Sequence, residues 1–327
     1  METEAIVFTG VGEVALQTID MPDPAPGEVQ IRTRYSVISA GTEGWTCRNL
    51  FTWSPTRYPC VPGYQRVGVI TKVGAGVAGW QVGDVVMATS GRWEGPVRPF
   101  WGAHLADANT VAAELYRIPA GADELDAAGA VVAQVGFNAA HRVALAPGDW
   151  VAVYGDGLIG QSAAQAARAR GARVILVGHR PERLALAAQH SADIVVNGRQ
   201  EPVAEAVRRH TDGQPLTAVL DTVQTEDAQR EYVPLLERGR GQIVYSGYTP
   251  GTAWADMALL QQRELTTHFV SGWTRPRMEA TLALMAAGKM RLRPLITHLT
   301  PHTSGPAMYR MILDKSAPFV GIAFDWR

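Results

Sequence analysis

Residues 150–160 read WVAVYGDGLIG, and this stretch decides the fold. An apolar run typical of a buried strand leads into glycines spaced G-x-G-x-x-G, and an Ala-rich helical pattern follows. At such a turn the first glycine allows a tight bend, the second lets the backbone approach a pyrophosphate, and the third lets the helix pack close to the strand. The N-terminus of the helix attracts the anion. The pattern predicts a dinucleotide-binding turn, the alternative being a glycine-rich turn without a ligand. The residues expected to contact the dinucleotide are Gly155, Gly157, Leu158, Ile159 and Gly160.

The sequence has different secondary-structure patterns in its N-terminal part and around this turn. Residues 1–120 are short runs rich in Val, Ile and Thr, separated by Pro or Gly, which predicts a compact all-β unit. Residues 121–293 alternate strand and helix patterns, as expected for a doubly wound parallel sheet. Residues 294–327 return to Pro- and Thr-rich sequence and end in a strand pattern that could pack with either half. We therefore expect an α/β protein with a β-rich domain and a parallel-sheet domain.

The strand pattern after the turn indicates which dinucleotide is bound. An NAD site usually places an acidic residue about 20 residues after the glycines, where it binds the ribose 2′-hydroxyl. Twenty-one residues after Gly157 stands Gly178 instead of an acid. The residues that follow it are basic: His179, Arg180 and, one helical turn later, Arg183. A small residue followed by arginines leaves room for a 2′-phosphate and neutralises its charge. The sequence predicts NADP(H) as the cofactor; the alternative is that the arginines form a solvated helix face.

The composition excludes several classes of protein. The chain has 327 residues, with 30 Lys and Arg against 31 Asp and Glu, so its formal net charge of -1 argues against nucleic-acid binding. Its apolar runs fall short of the roughly 18 residues that span a membrane, and its first residues do not fit a secretion signal. Two cysteines, Cys47 and Cys60, cannot form a disulfide scaffold or a four-cysteine zinc site. We expect a cytoplasmic protein that binds a small-molecule substrate and neither nucleic acid nor membrane.

Three further stretches carry a resemblance to a known family. PAPGEVQIR looks like a first-strand signature, VPGYQRVGVITKVGAGVAGWQVGDVV like a long GroES-like segment, and ITHLTP like a return into the first domain. With the central glycine turn, these stretches resemble the medium-chain dehydrogenase/reductase family over nearly the whole chain. The resemblance implies a cleft between two domains that holds the nicotinamide. The domains it implies are a GroES-like catalytic domain, residues 1–120 completed by 294–327, and a Rossmann dinucleotide-binding domain, residues 121–293.

The chain departs from the zinc-dependent members of that family at the metal site. The Cys-Gly-Thr/Ser-Asp motif, whose cysteine binds zinc, corresponds here to AGTE at 40–43. The Gly-His-Glu motif that supplies the second ligand corresponds to GYQ at 63–65, and the third ligand position offers only Ala133 and Gln134. A catalytic zinc needs three protein ligands. The departure predicts a site without metal, and the motif VISAGTE is similar to the zinc-poor branch that contains bacteriochlorophyllide dehydrogenase.

The same correspondence suggests which residues act on the substrate. Thr42 corresponds to the family's proton-relay hydroxyl, Tyr64 replaces a zinc-binding histidine, and Glu43 corresponds to an acid that supports the site through a charge pair. Without a metal, a hydrogen-bond donor must polarise the substrate oxygen, and Thr42 and Tyr64 are the predicted donors. Alternatively, Tyr64 only fills the vacated zinc volume. His104 is interpreted as a partly buried structural histidine.

Aromatic residues indicate the character of the substrate. Five of the nine tryptophans lie within the first 101 residues, and tryptophan offers large apolar area. This enrichment favours a bulky, planar or apolar substrate, although packing in the β-rich domain would also explain it. The residues predicted to line the substrate pocket are Trp45, Trp53, Trp93, Trp101 and Gln134.

Three functions are compatible with these patterns. The leading interpretation is a zinc-independent, NADP(H)-dependent oxidoreductase that transfers a hydride between nicotinamide and a carbonyl/alcohol pair. One alternative is an enoyl or quinone reductase that acts on an activated C=C bond, and another is an NADPH-binding protein without turnover. Retention of Thr42 and of an acid at Glu43 argues against the last. The family resemblance also implies a homodimer that pairs edge strands, for which GQIVYSGYTP followed by HFVSGW is the candidate.

Overall fold

The computed structural model of the chain describes residues 1–52, 54–248 and 255–327. Strands and helices occur throughout these ranges. The strands are β1 (Glu2–Gly10), β2 (Glu13–Asp20), β3 (Glu28–Val37), β4 (Cys60–Val61), β5 (Arg66–Val73), β6 (Val85–Ala88), β7 (Arg98–Pro99), β8 (Asp107–Val111), β9 (Tyr116–Arg117), β10 (Trp150–Tyr154), β11 (Arg173–Gly178), β12 (Ile194–Asn197), β13 (Ala218–Asp221), β14 (Gln242–Tyr245), β15 (Thr266–Phe269), β16 (Ile296–Pro301) and β17 (Gly321–Asp325). The α-helices are α1 (Ala40–Cys47), α2 (Glu124–Ala128), α3 (Ala130–Arg142), α4 (Leu158–Ala169), α5 (Pro181–His190), α6 (Val203–His210), α7 (Glu226–Tyr232), α8 (Met257–Gln262), α9 (Arg275–Ala286) and α10 (Gly305–Asp314).

The chain divides into two compact units. Unit 1 consists of Met1–Val131 and Ile296–Arg327, and unit 2 of Val132–Leu295. Unit 1 is β-rich and unit 2 has a parallel sheet with helices between its strands, so the predicted fold class is confirmed. The sequence boundary at 120/121 differs from the structural one because α2 packs against β3 and β5 and so belongs with unit 1. The catalytic and dinucleotide-binding roles of the two domains stay predictions.

Unit 1 contains two sheets. One has the strand order β2-β1-β4-β7, and the other has the order β16-β17-β3-β5-β6-β9, with β8 also paired to β3. The C-terminal segment is integral to this unit, because β17 pairs with β3 on one side and with β16 on the other. Phe8 of β1 packs edge-to-face on Tyr309 of α10, with ring centroids 5.0 Å apart, in a core that also contains Phe324 of β17.

Unit 2 has one parallel sheet with the strand order β12-β11-β10-β13-β14-β15. All five residues of β10 are buried, as expected for a central strand whose two faces are both covered. In the order in which these strands follow one another along the chain, the sheet reads 3-2-1-4-5-6, which is the dinucleotide-binding order. Its topological switch point lies between β10 and β13, and the 155–160 turn begins at the end of β10. Ligands of open α/β sheets bind at this crevice.

Two observations bear on the predicted environment of the protein. In the described ranges there is no helix whose length and apolar character would allow it to cross a membrane. Cys47 and Cys60 are free and buried, and burial raises the pKa of their thiols to about 11 and about 12. Both thiols therefore stay protonated and behave as small apolar residues.

A close approach between α3 and α4 in unit 2 depends on Gly136. A Cβ added there would lie 2.4 Å from the Ala163 backbone nitrogen, which cannot move without shifting α4. We expect Gly136→Ala to lower the free energy of unfolding by about 1–3 kcal/mol, measured by urea denaturation. Gly44→Ala in α1 is the control, because the nearest atom to its added Cβ is 3.8 Å away. Equal stability of the two variants would contradict this account of the helix contact.

Candidate functional site

The turn between β10 and α4 contains two glycines that the fold itself requires. Gly155 has φ +120°, and an added Cβ would lie 2.1 Å from Thr222 Oγ1. An added Cβ at Gly160 would lie 2.0 Å from the carbonyl oxygen of Gly155. A side chain at Gly155 would therefore collide with Thr222, just after β13, and one at Gly160 would collide with the backbone of the turn itself.

Gly157 differs, because none of the described residues comes close enough to require a glycine there. Its φ of -81° and ψ of 179° suit any residue, and the nearest atom to an added Cβ is Arg183 Nη1, 3.8 Å away. The space that a side chain would fill lies at the start of α4, where no side chain caps the helix. A helix N-terminus without a side-chain cap, beside a glycine that keeps the backbone accessible, fits a pyrophosphate. Leu158 and Ile159 form the first turn of this helix.

Asp156, which the sequence analysis did not single out, is the centre of the basic cluster after β11. Its Oδ2 accepts hydrogen bonds from the backbone N–H groups of His179 and Arg180, both at 3.1 Å. Its Oδ1 lies 3.2 Å from Arg183 Nη1 and 3.5 Å from Arg180 Nη1. Burial alone would raise the pKa of Asp156, but these N–H groups and guanidiniums hold it below its ordinary value. The carboxylate is therefore charged at neutral pH.

The same carboxylate explains why residue 178 is small. A Cβ added to Gly178 would lie 2.6 Å from Asp156 Cβ and 2.7 Å from Asp156 Oδ2. The space that a side chain at 178 would use is thus already filled from the preceding turn. The Arg183 side chain is only 14% exposed, so it does not belong to a solvated helix face, whereas Arg180 is 43% exposed. Burial lowers the pKa of His179, which is neutral at pH 7.

In unit 1, the predicted site residue Glu43 is fully buried. Its Oε1 accepts a hydrogen bond from the backbone N–H of Ser39 at 2.7 Å, which ties it to the start of its own helix, α1. Its Oε2 lies 2.8 Å from His104 Nε2 and also accepts a hydrogen bond from the Tyr309 hydroxyl. Burial, with the charge of Glu43, raises the pKa of Tyr309 well above its ordinary value, so this phenol keeps its proton. Glu43 therefore has hydrogen-bond partners at both of its oxygens.

The other side of His104 continues this network. Its Nδ1 lies 2.8 Å from Ser36 Oγ, which accepts a hydrogen bond from Trp326 Nε1 at 2.9 Å. Because a carboxylate can only accept, Nε2 of His104 donates to Glu43, and Ser36 can donate to Nδ1. An added Cβ at Gly63 would lie 2.5 Å from His104 Cδ2, so this glycine makes room for the imidazole. These contacts fit the interpretation of His104 as a structural histidine, which stays a prediction, and the side chain is fully buried where partial burial was expected.

Tyr64 and Thr42 lie together beside this network. The Tyr64 hydroxyl is hydrogen-bonded to the side chains of Ser39 and Thr42, and burial raises its pKa to about 12 although these bonds lower it. Tyr64 is buried, whereas Thr42 is half-buried. The Tyr64 ring also packs edge-to-face on Trp101, with centroids 5.1 Å apart. The structure thus brings together three predicted catalytic residues, including Glu43, whose charge also raises the Tyr64 pKa.

The remaining residues predicted for the substrate pocket have diverse surroundings. Trp45 is half-buried and packs edge-to-face on Phe51. Trp93 packs against the core around β1, and its Nε1 donates to the Val97 carbonyl at 2.7 Å, which fits the alternative of core packing. Gln134 belongs to unit 2, where its Nε2 donates to the Gly272 carbonyl at 3.2 Å. Trp53 lies outside the described residues.

The donor set does not fit a catalytic zinc. The three positions that correspond to the family's zinc ligands hold Ala40, Tyr64 and Gln134, and a phenol with a pKa of about 12 is not deprotonated at pH 7. Gln65 is buried and donates to the Val37 carbonyl at 3.1 Å. Across the described part of the chain, no three His, Cys, Asp or Glu side chains are grouped so that they could hold a metal ion.

Comparison with known proteins matches both units. Residues 25–119 match the family model of the alcohol dehydrogenase GroES-like domain, and residues 159–287 match that of the zinc-binding dehydrogenases. A relative from Cereibacter sphaeroides, the 2-desacetyl-2-hydroxyethyl bacteriochlorophyllide A dehydrogenase, is 29% identical over 352 residues, covering 100% of this chain and 99% of the relative.

Solved structures of low sequence identity share the fold. An oxidoreductase/dehydrogenase of unknown specificity from Escherichia coli superposes with a TM-score of 0.87 at 20% identity, covering 99% of each chain. A protein from Sinorhizobium meliloti 1021, described as a zinc-binding dehydrogenase bound to NADP, superposes with a TM-score of 0.86 at 18% identity, again over 99% of each chain.

The hydrogen bond from Tyr309 to Glu43 should contribute measurably to the stability of unit 1. We expect Tyr309→Phe to lower the free energy of unfolding by about 1.5–3 kcal/mol, because a buried charge loses a donor. Urea denaturation measures this change. Tyr35→Phe is the control, since Tyr35 is also buried but its hydroxyl is outside the Glu43 network. If both variants lower the free energy of unfolding equally, the hydrogen bond to Glu43 contributes no more to stability than an ordinary buried tyrosine hydroxyl.

Proposed function

The chain belongs to the medium-chain dehydrogenase/reductase family, and on that premise we propose that it is a zinc-independent, NADP(H)-dependent oxidoreductase. Its substrate is a carbonyl/alcohol pair on a bulky or apolar molecule. The observation that carries the proposal is Gly157, a glycine that packing among the described residues does not require. It lies beside a helix N-terminus without a side-chain cap, at the switch point of the sheet. A dinucleotide pyrophosphate accounts for both features.

The residues of the turn and those of the basic cluster bind different parts of the cofactor. The 155–160 turn binds the pyrophosphate through backbone N–H groups at the start of α4. Arg180 and Arg183 bind the 2′-phosphate, because a guanidinium forms paired, charge-assisted hydrogen bonds to phosphate oxygens. Gly178 leaves no acid to accept a ribose 2′-hydroxyl, which favours NADP(H) over NAD(H). When bound, this cofactor supplies or accepts the hydride.

Tyr64 supplies the proton that the reaction requires. Its phenol keeps its proton at neutral pH because burial raises its pKa to about 12, so it can donate a hydrogen bond to a substrate oxygen. Thr42 is hydrogen-bonded to the same phenol and is less buried, so its hydroxyl can replace the proton from the solvent side. Glu43 does not need to touch substrate: it positions α1, which carries Thr42, through its bonds to Ser39 and His104.

The donor set supports the zinc-independent part of the proposal. A thiolate, an imidazole or a carboxylate is needed at the three ligand positions, and Ala40, Tyr64 and Gln134 provide none. Polarisation of the substrate oxygen therefore falls to hydroxyl groups, with Tyr64 as the donor.

Two arguments support a bulky or apolar substrate. Trp101 packs on the edge of Tyr64 and is half-buried, so an apolar ring lies beside the proposed proton donor. The Cereibacter sphaeroides relative is named for a hydroxyethyl bacteriochlorophyllide, a large molecule. We assign this chain a substrate of similar bulk and leave Trp93 out of the pocket, because it packs in the core.

We also propose a homodimer and a cytoplasmic location. The edge strand β15 exposes 76% of Phe269, which stacks on Tyr245, and a second copy pairing at this edge would cover the ring. The two free, buried cysteines accord with a reducing compartment.

The cofactor assignment is tested by titrating the purified protein with NADPH and NADH in parallel, followed by fluorescence. We expect the wild type to bind NADPH more tightly than NADH. Arg180→Ala should lower the affinity for NADPH at least tenfold and leave the affinity for NADH unchanged. Arg168→Ala is the matched control, because Arg168 is also 43% exposed and paired with an aspartate. Tighter binding of NADH by the wild type would overturn the NADP(H) assignment.

The proton role of Tyr64 is tested with Tyr64→Phe. We expect kcat to fall by about 10²-fold or more while dinucleotide affinity is unchanged, because only the donor hydroxyl is lost. The assay uses NADPH with aromatic and aliphatic ketones, aldehydes and enones, so that activity on enones alone would reveal an enoyl or quinone reductase. Tyr58→Phe is the control, since the Tyr58 hydroxyl donates to the backbone carbonyls of Thr46 and Cys47 and has no part in the proposed proton path. Unchanged kcat in Tyr64→Phe would mean that Tyr64 only fills space.

A further inference from the structure

The dinucleotide-binding turn contains a charge that the proposed function does not use. Asp156 is 4% exposed, and its carboxylate contacts both guanidiniums that we assign to the 2′-phosphate. With His179 neutral, the cluster formed by Asp156, Arg180 and Arg183 has one negative and two positive charges. Any anion that binds these guanidiniums therefore competes with a carboxylate that already holds them.

This carboxylate cannot rotate away to relieve the competition. Its Oδ2 accepts hydrogen bonds from the N–H groups of His179 and Arg180, which would be lost on rotation. The carbonyl of Asp156 also accepts a hydrogen bond from Gln161 Nε2 at 3.1 Å, so the backbone of the turn is held as well. Gly178 lies against the side chain on the other face. Asp156 is a fixed negative charge at the edge of the phosphate site.

The Asp156 side chain occupies the space that a side chain at residue 178 would fill. NAD sites place an acid at the end of this strand, and here the acid reaches the same space from the preceding turn. The cluster thus combines a feature that favours NAD(H) with guanidiniums that favour NADP(H).

We infer that Asp156 is a specificity-determining residue of the cofactor site, which limits the preference for NADP(H) over NAD(H) by competing with the 2′-phosphate for Arg180 and Arg183. This inference rests on the proposed function, since it takes the turn to be a dinucleotide site. It predicts that the wild type prefers NADPH only modestly and that removing the charge sharpens the preference.

The test is Asp156→Asn, titrated with NADPH and NADH. Asparagine keeps one oxygen that can accept the His179 and Arg180 N–H bonds. It removes the charge and places an NH2 donor where Oδ1 accepts from Arg180 and Arg183, so both guanidiniums are released to bind a phosphate. We expect the Kd for NADPH to fall about tenfold, the effect of one unit charge on a nearby phosphate, and the Kd for NADH to stay unchanged. NADPH binding should also weaken more steeply with added salt. An unchanged or raised Kd for NADPH would overturn the inference.

Asp193→Asn is the matched control. Asp193 also accepts a backbone N–H, from Val174 at 2.8 Å, and pairs with an arginine, Arg168, at 2.9 Å. The substitution Asp193→Asn alters the net charge of unit 2 by the same amount as Asp156→Asn, but Asp193 lies outside the 155–160 turn. We expect it to leave both Kd values unchanged, and an equal gain in NADPH affinity would assign the effect to net charge and overturn a specific role for Asp156.

Failure of the inference and failure of the proposed function give different results. A wild type that binds neither dinucleotide contradicts the proposed function, whereas a wild type that binds both with no response to Asp156→Asn contradicts only the inference. If Asp156→Asn does not fold, Asp156→Ser, which keeps a hydroxyl acceptor, replaces it. The wild type itself gives a further measurement with adenosine 2′,5′-bisphosphate and adenosine 5′-monophosphate. A preference below about tenfold supports the competition, and one above about a hundredfold, typical of two unopposed guanidiniums, overturns it.

Discussion

A carboxylate removed from water must be surrounded by hydrogen-bond donors, and unit 1 meets this requirement around Glu43. Its donors come from three parts of the chain: Ser39 immediately before α1, His104 after β7, and Tyr309 in α10. Because an unpaired buried charge is strongly destabilising, these segments cannot separate independently. The network therefore fixes α1, which carries Thr42, relative to the C-terminal helix, and it makes the position of the proposed proton donors a consequence of the fold.

Unit 2 satisfies the same requirement in a different way. Asp156 has backbone N–H groups as permanent partners, but its other partners are guanidiniums on residues that are partly exposed. Guanidiniums can exchange one anion for another, whereas the phenol and imidazole around Glu43 are enclosed. We therefore assign different roles to two buried acids of the same chemistry: Glu43 to stability and, as proposed, Asp156 to cofactor binding.

Local patterns in the sequence predicted the strand, glycine turn and helix at residues 150–169 well. The strand that ends at Tyr154 and the helix that begins at Leu158 are where the spacing placed them, because each is specified by adjacent residues. The α/β class followed from the same alternation of patterns.

What the sequence did not reveal depends on contacts between distant residues. His104 and Tyr309 are 61 and 266 residues from Glu43, and no local pattern records that separation. Helix α10 was not predicted either, because it lies in Pro- and Thr-rich sequence. Asp156 carried a signal that was available, an acid inside the glycine motif, but its meaning required the position of Gly178. Trp93 packs against the core around β1, which fits the alternative of core packing that its aromatic character left open.

The position of β17 has a consequence for how the molecule is made. Unit 2 is a continuous segment, so it can fold as soon as residues 132–295 have been synthesised. The larger sheet of unit 1 cannot close at that stage, because β17 must insert between β3 and β16. Until residues 321–325 emerge, the Tyr35–Val37 part of β3, which pairs with β17, presents unpaired backbone groups, the kind of edge that promotes aggregation. Biosynthesis of this chain therefore includes an interval in which a finished parallel-sheet domain is flanked by an open one.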